Sequence, residues 1–510
     1  MTDEKAFDAA SSSSSNAKPG VPGSKEVSQI HTTTLAEVVP VQRSSNPFKR
    51  AYSLPIVQIA LVGMVCFLCP GMFNAISGIG GGGQVNPDAS NKASIALYST
   101  FSAVSFFAGT IHNKLGSRLT LGLGALGYCL YIGAFLSYNI NKNEGFVIAS
   151  GAILGVCASL LWSAQGALML AYPTEWQKGR FISVFWVIFN MGAVLGSAIE
   201  LGLTYNSTEN TVSNGTYAAF VVLTGLGAGV TALLMDPAKV VRDDGTRVLV
   251  PSQTTWAKEF QGLFLLLRSD PWVILLFPMF LASNWFYTWQ FNDYNGALFT
   301  LRTRALNGLL YWLSQMVGSL AIGQVLDNKR MSRKSRAWIG WSIVFVVMWA
   351  VWGGSYDVQK TYTRASVAAD TANTNRVDFR DGSKYAGYCF LYIFSGILDA
   401  IWQTLAYWLM GACSNDLSKL GYLAGFYKSI QSAGAAGAYA MDNDKHPYMT
   451  NLAVTWGICV AGMLFALPVI ALRVTEHTDP LQEVTVPGRA EEIAAVDEQI
   501  GATGLNEKHT

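Results

Sequence analysis

Apolar runs of roughly 18–25 residues recur about twelve times along the chain, and each is long enough to cross a bilayer's hydrocarbon core as a helix. The first two are Leu54–Ala75 and Ala93–Ile111, and the last is Asn451–Leu472. Short polar loops separate them. The pattern predicts an all-α membrane protein of about twelve transmembrane helices, embedded in a lipid bilayer.

Composition agrees. Of 510 residues, 51% are hydrophobic and only 13% charged, and the mean hydropathy is +0.29. Soluble domains carry about twice that share of charge. A net charge of +2 implies no nucleic-acid partner. The seven cysteines all lie in or beside apolar runs. Cys66 and Cys69 form a Cys-x-x-Cys inside the first run, with no second pair or nearby histidine, so they read as small packing residues rather than metal ligands.

The lysines and arginines set an expected orientation, because cytosolic loops are enriched in them. Arg43, Lys49 and Arg50 precede the first run, and further cations follow at Lys114 and Arg118, Lys178 and Arg180, Lys239 to Arg268, and Lys329 to Arg336. Both termini are expected in the cytosol, at the plasma membrane or an endomembrane. Two sequons, at Asn206 and Asn214, share one loop on the expected outer side, where N-glycans are added.

The longest cytosolic connection divides the chain. Residues 1–50 read as a disordered cytosolic tail, 51–235 as a first six-helix bundle and 236–271 as a cytosolic linker. Residues 272–473 read as a second six-helix bundle and 474–510 as a disordered cytosolic tail. The halves echo one another: Gly109, Asn113, Gly116 and Arg118 follow the second run, and Gly323, Asp327 and Arg333 follow the eighth. Leu161-Trp162 and Ile401-Trp402 form a second echo.

Charges within the runs are candidate chemistry. Asp399 and Lys428 sit near the middle of the tenth and eleventh runs at similar depth, where an unpaired charge costs on the order of 2.5–3.5 kcal/mol. Pairing would offset part of that cost. They form either a substrate or ion-coupling site or a fixed bridge that orders the second half. Gln165, Asn190, Asn284, Gln290 and Gln431 are further polar residues inside runs; each is either a hydrated-pathway residue or an interhelical hydrogen bond. Glu200 and Asp293 lie near helix ends and read as interfacial. Trp285, Phe286, Tyr287, Trp289 and Phe291 either line a site or form an interfacial aromatic belt. The pairs Gly151/Gly155, Gly192/Gly196, Gly225/Gly229 and Gly421/Gly425 read as close helix-packing contacts. Gly78-x-Gly80-x-x-Gly83 matches a dinucleotide fingerprint as a string but follows a membrane helix rather than a strand, so it is not one. With no Walker motif, metal cluster or nucleophile–base pair, neither enzyme nor cofactor is indicated.

The Gly109–Arg118 loop resembles the cytosolic motif of the major facilitator superfamily, with Asn113 where that family usually has aspartate. Pro70-Gly-Met-Phe-Asn74 through Gly83, Phe291-Asn-Asp293-Tyr-Asn-Gly296, Arg302-Thr-Arg304-Ala-Leu-Asn307 and Tyr311-Trp312-Leu-Ser-Gln315 resemble the Unc-ninety-three-like membrane proteins, particularly their fungal members. The resemblance implies the major facilitator fold, two six-helix bundles about a midplane cavity, with the Gly109–Arg118 and Gly323–Arg333 loops as a cytosolic gate. It also implies one of two functions. One is secondary transport of a small solute or ion by alternating access; the other is a non-transporting regulatory or trafficking subunit of a channel or receptor partner.

Overall fold

A computed structural model describes residues 46–475, apart from 85–86, 174–177, 207–211, 243–266, 269, 329, 371–374 and 414–416. Most of both expected tails, the centre of the 236–271 linker and the Ser207-Thr208 part of the first sequon lie outside the described residues.

The described residues fold into long helices. We label them α1 (Pro55–Gly78), α2 (88–113), α3 (Lys114–Asn141), α4 (Glu144–Ala171), α5 (Lys178–Thr204) and α6 (Asn214–Val230). The second series is α7 (Trp272–Gly296), α8 (Leu301–Leu326), α9 (Arg333–Gln359), α10 (Ser383–Cys413), α11 (Leu417–Asn443) and α12 (Tyr448–Leu472). Ten helices are long and apolar enough to span a membrane; α2 and α11 are not among them. Both are polar along one face, α2 through Ser90, Asn91, Ser94 and Ser105 and α11 through Ser429, Gln431, Ser432 and Asp442, all buried. Among the described residues the labelled helices follow the expected runs, and length and composition qualify ten of them as spans.

Local sequence accounts for the ends and breaks. Asn143 and Ser213 cap α4 and α6 by accepting hydrogen bonds from backbone N–H groups of the first turn, which otherwise lack partners. Pro70 interrupts α1 at Cys69, whose φ of −103° and ψ of −80° are not helical, because proline offers no N–H to the preceding turn. Gly116, with φ +76° and ψ 162°, breaks the helical path in the first turn of α3, just past the end of α2. The last eight residues of α7, Trp289–Gly296, are wound as a π-helix, a form that recurs at functional sites.

Buried residues form two large clusters, one drawn mainly from α1–α6 and the other mainly from α7–α12. The halves meet along α2 and α11, where Tyr98 stacks on Tyr439 with centroids 5.8 Å apart and Ser102 Oγ donates to the Ser429 carbonyl at 2.9 Å. They also meet along α5 and α8, at Ser197 and Gly308.

Two of the four glycine pairs pack as expected. A methyl group on Gly155 would come within 2.1 Å of the Leu97 carbonyl oxygen, and one on Gly192 within 2.1 Å of the Phe67 carbonyl oxygen. Gly225 and Gly229 instead face open space, and the packed glycine of α6 is Gly227, against Leu68 and Cys69. A four-residue spacing selects a helix face but not what that face meets.

Candidate functional site

Asp399 is wholly buried, midway along α10. Three helices satisfy its carboxylate. Oδ2 accepts from the Tyr287 hydroxyl of α7 at 2.9 Å, from the Tyr311 hydroxyl of α8 at 3.0 Å and from Gln315 Nε2 of α8. Oδ1 accepts from Gln403 Nε2, one turn along α10, at 2.7 Å. A carboxylate with such donors is held without a cationic partner.

Asp399 and Lys428 do not form the direct pair that their depths suggested. Two amides lie between them. Lys428 Nζ donates to Gln431 Oε1 at 2.9 Å, Gln431 Nε2 to Gln403 Oε1 at 3.2 Å, and Gln403 to Asp399. The ammonium is held instead by aromatic faces, Trp162 of α4 at 5.2 Å, Tyr427 at 5.5 Å and Tyr407 of α10 at 5.7 Å, the geometry of cation–π attraction. Trp162 carries the cluster into the first half of the chain.

The other polar candidates divide. Gln431 also donates to Asn284 Oδ1 at 2.9 Å, and Gln290 Oε1 accepts from the Tyr311 hydroxyl at 2.9 Å. Tyr311 has one proton and two acceptors, Asp399 and Gln290, so it serves one at a time. Asn284, Gln290 and Gln431 thus belong to the Asp399 cluster. Gln165 is half-buried, one turn beyond Trp162. Asn190 is buried in α5, with an Oδ1 that no hydrogen bond reaches. Neither is hydrogen-bonded to the cluster among the described residues.

Tyr311, Gln315, Gln403 and the Trp162–Tyr407–Tyr427 cage were not singled out from sequence as site residues. Their signal was faint: a polar residue one turn from Asp399, and a tryptophan noticed only as a repeat landmark. The aromatic belt reading of α7 is corrected by burial. Phe286, Trp289 and Phe291 are at most 2% exposed, and Tyr287 faces Asp399, whereas a belt residue must reach the lipid–water boundary.

A second polar assembly closes the face that carries the Gly78–Gly83 turn. Arg304 of α8 donates through Nε to the Ile79 carbonyl at 2.6 Å and through a terminal nitrogen to the Gly80 carbonyl at 2.7 Å. Asn295 donates to the Gly78 carbonyl at 2.8 Å, and Asn292 Oδ1 accepts from the Gly81 N–H at 2.8 Å. Gly80 has φ +84°, and a methyl group there would lie 2.1 Å from the Phe291 carbonyl oxygen. Glu200 and Asp293, expected at water, are both wholly buried near this assembly, Asp293 beneath Arg364, Tyr362 and Asn451 of its own half.

On the opposite face, rich in lysine and arginine, the loop motifs are held within their own halves. Arg118 Nε donates to the Leu234 carbonyl. His112 Nε2 lies 3.0 Å from Ser117 Oγ. Gly109, Gly116 and Gly323 have no neighbour within 4 Å of a would-be methyl group. The Asn113 side chain lies outside the described residues. Burial raises the Asp327 carboxyl from its ordinary value, partly offset by the Arg336 guanidinium. Arg336 donates to the Leu326 carbonyl at 2.8 Å, so Arg336, rather than the expected Arg333, is the cation facing Asp327. Arg333 reaches the Gly411 carbonyl at 3.5 Å. Of the two sequon asparagines, Asn206 is exposed in a turn, and Asn214 Oδ1 accepts from Asn139 Nδ2 at 2.7 Å.

This architecture defines a multi-pass membrane protein of the major facilitator fold. It is similar to the xylose transporter XylE of E. coli in a partially occluded inward-open conformation, with a TM-score of 0.55 and 11% identity over 84% of this chain and all of that one. The E. coli fucose:proton symporter FucP is also similar, with a TM-score of 0.53 and 13% identity over 82% of this chain and 99% of that one. Residues 81–436 match the family model described as ion channel regulatory protein UNC-93. The UNC93-like protein C922.05c of Schizosaccharomyces pombe is 46% identical, covering 88% of this chain and 91% of that one. UNC93-like protein 1 of Arabidopsis thaliana is 42% identical over 80% and 88% respectively. The chain belongs to the UNC-93 family. The family model is described as an ion channel regulator, and the two solved structures, a transporter and a symporter, share this chain's fold.

Proposed function

We propose that the protein is a secondary transporter that moves a small polar solute by alternating access, with the Asp399 cluster as its binding and coupling site. The observation that carries this is Asp399 itself, a buried carboxylate held by side-chain donors from three helices, none of them a cation. Two of the four neutral donors have a second acceptor nearby and are exchangeable: Tyr311 can turn to Gln290, and Gln403 to Tyr287 at 3.1 Å. A solute hydroxyl or amide can therefore replace them without stranding a charge. Lys428, held by rings and one amide, offers a second mobile contact.

In this proposal the two six-helix halves rock about the cluster. The basic face and both termini lie in the cytosol, the glycine-turn face lies outside, and Asn206 and Asn214 are glycan acceptors there. The Gly109–Arg118 and Gly323–Arg336 loops gate the cytosolic side. The membrane is a plasma membrane or an endomembrane.

A second reading has its own support, since the matching family model is described as an ion channel regulator. A regulator would co-purify with a channel and alter its current while moving no solute itself. Purified protein in liposomes separates the two. Saturable uptake of a monosaccharide, polyol or amino acid, reduced by Asp399→Asn, supports transport; current modulation without uptake supports regulation.

A further inference from the structure

Asp293 and Asp442 share one guanidinium. An Arg364 terminal nitrogen lies 2.5 Å from Asp442 Oδ1 and 3.6 Å from Asp293 Oδ1, and both carboxylates are 1% exposed. Their partners differ. Asp442 Oδ2 also accepts from Asn91 Nδ2 at 2.7 Å and from Asn292 Nδ2 at 3.0 Å. Asp293 Oδ2 accepts from Asn451 Nδ2 at 2.7 Å, while its Oδ1 has no hydrogen-bond partner. The carbonyl oxygen of that same Asn451, itself 5% exposed, also lacks a donor.

The charge count is unequal. Arg364 balances Asp442, which three donors hold as a carboxylate, and a second negative charge on Asp293 would be buried without a matching cation, which is costly. A metal ion is a poor fit, because it would sit beside the guanidinium. A proton fits. It neutralises the extra charge and supplies the donor that Asn451 Oδ1 lacks.

The position gives that proton a consequence. Asn91 begins the first half's contribution, on α2; Asn292 and Asp293 lie on α7, Asp442 on α11 and Asn451 on α12. Arg364 comes from the segment after α9. The cluster therefore ties the two halves together on the glycine-turn face. We propose that Asp293 is a proton-binding site that closes this face: protonated, it completes the Asp442–Arg364–Asn91 clasp, and ionised, it loosens it by competing with Asp442 for Arg364. The site is separate from Asp399 and does not depend on whether solute is moved. Closure takes up a proton, so it is favoured as pH falls. Among the described residues, the other charged or titratable groups near the cluster are Tyr439 on α11, Tyr362 beside Arg364, Tyr448 on α12, Arg376 near Tyr448 and the exposed Lys445–Asp88 pair. His446 is also near, its carbonyl accepting from Arg364 Nε at 2.8 Å.

Lys445 and Asp88 report closure, since they touch across the two halves. With Asp88→Cys and Lys445→Cys in the full-length chain, oxidative crosslinking is measured from about pH 5.5 to 8.5. Each rate is divided by the rate in the same background carrying Asp293→Asn, which mimics the protonated acid and cancels thiol ionisation. The expected ratio is near one at low pH and falls at least threefold at high pH. His446→Gln should leave the profile in place, and exchanging sodium for potassium should not move it. A flat ratio overturns the proposal, as does a profile abolished by His446→Gln. Closure restored at high pH by sodium overturns it too, in favour of a metal cation. Asp442→Asn, which weakens the Arg364 anchor, is expected to lower crosslinking throughout; full crosslinking there contradicts the clasp.

Discussion

At the residue scale, Asp399 is set apart by the number of side chains committed to it. Four donors converge on one buried carboxylate, and removing it leaves Tyr287 and Gln315 without their acceptor, each costing about 1–3 kcal/mol if it finds no other partner, while Tyr311 and Gln403 can turn to Gln290 and Tyr287. Asp399→Ala is therefore expected to lower the thermal unfolding midpoint clearly more than Asp399→Asn, whose amide keeps an acceptor. The check is thermal denaturation of both purified variants beside the wild type; equal midpoints would contradict the network. Lys428→Met should retain fold and the aromatic cage but weaken any solute contact made by the ammonium, read as a raised KM for uptake.

Asp378, in the segment between α9 and α10, gives a pH dependence outside the spans. Burial alone would raise its carboxyl. Hydrogen bonds from Arg302, Thr300 and the Arg380 N–H outweigh that and hold it below its ordinary 3.8. The folded state thus binds this proton less tightly than the unfolded chain. The stabilisation is complete above about pH 4 and is lost as pH falls through the depressed folded value. Thermal unfolding at about pH 5 and pH 3 should show a drop in midpoint that Asp378→Asn reduces. An undiminished drop would assign the acid sensitivity elsewhere.

At the element scale, the sequence carried most of the helices and little of their pairing. Apolar length marked the spans because lipid leaves a backbone no other partner than its own helix. The same signal marked α2 and α11 too, although their polar residues, such as Asn91 and Asp442, meet between the two helices and leave them short of the apolar content of the other ten. It could not foresee the π-helical end of α7, which brings Asn292, Asp293 and Asn295 toward the glycine turn and buries residues that otherwise look interfacial. Nor could it pair Asp399 with tyrosines from α7 and α8, because neither span carries a periodicity that points at α10.

Glycines test this scale. Gly80 combines a left-handed φ with the Phe291 carbonyl 2.1 Å from any added methyl group. Gly80→Ala should cost at least about 1–2 kcal/mol from backbone strain alone, and more from displacing α7. Gly225 has an ordinary helical φ and open space around it, so Gly225→Ala should change stability by no more than about 0.5 kcal/mol. Folded yield and unfolding midpoint of the two variants decide; similar losses would mean that the turn is not a tight junction.

At the scale of the whole molecule, the two faces are built differently. The glycine-turn face is laced shut by Arg304, Asn292, Asn295 and the Asp442–Arg364 clasp, each linking residues distant in the chain. On the basic face, Arg118 and Arg336 hold carbonyls within their own halves. An alternating-access protein with its glycine-turn face closed has this asymmetry, and the proposed orientation places the lysine- and arginine-rich face in the cytosol. Thiol reagents that cannot cross the membrane should reach a cysteine placed at Tyr205 only from outside, and one placed at Arg330 only from inside. Labelling of both from one side would reverse or remove the assignment.

The most direct measurement is uptake by the purified protein in liposomes, wild type beside Asp399→Asn, using whichever monosaccharide, polyol or amino acid most raises the unfolding temperature. The expected result is saturable uptake by the wild type and a loss of at least tenfold in the variant, at equal folded yield. Undiminished uptake by Asp399→Asn, or none by the wild type while a bound channel's current responds to it, would contradict a solute site at Asp399.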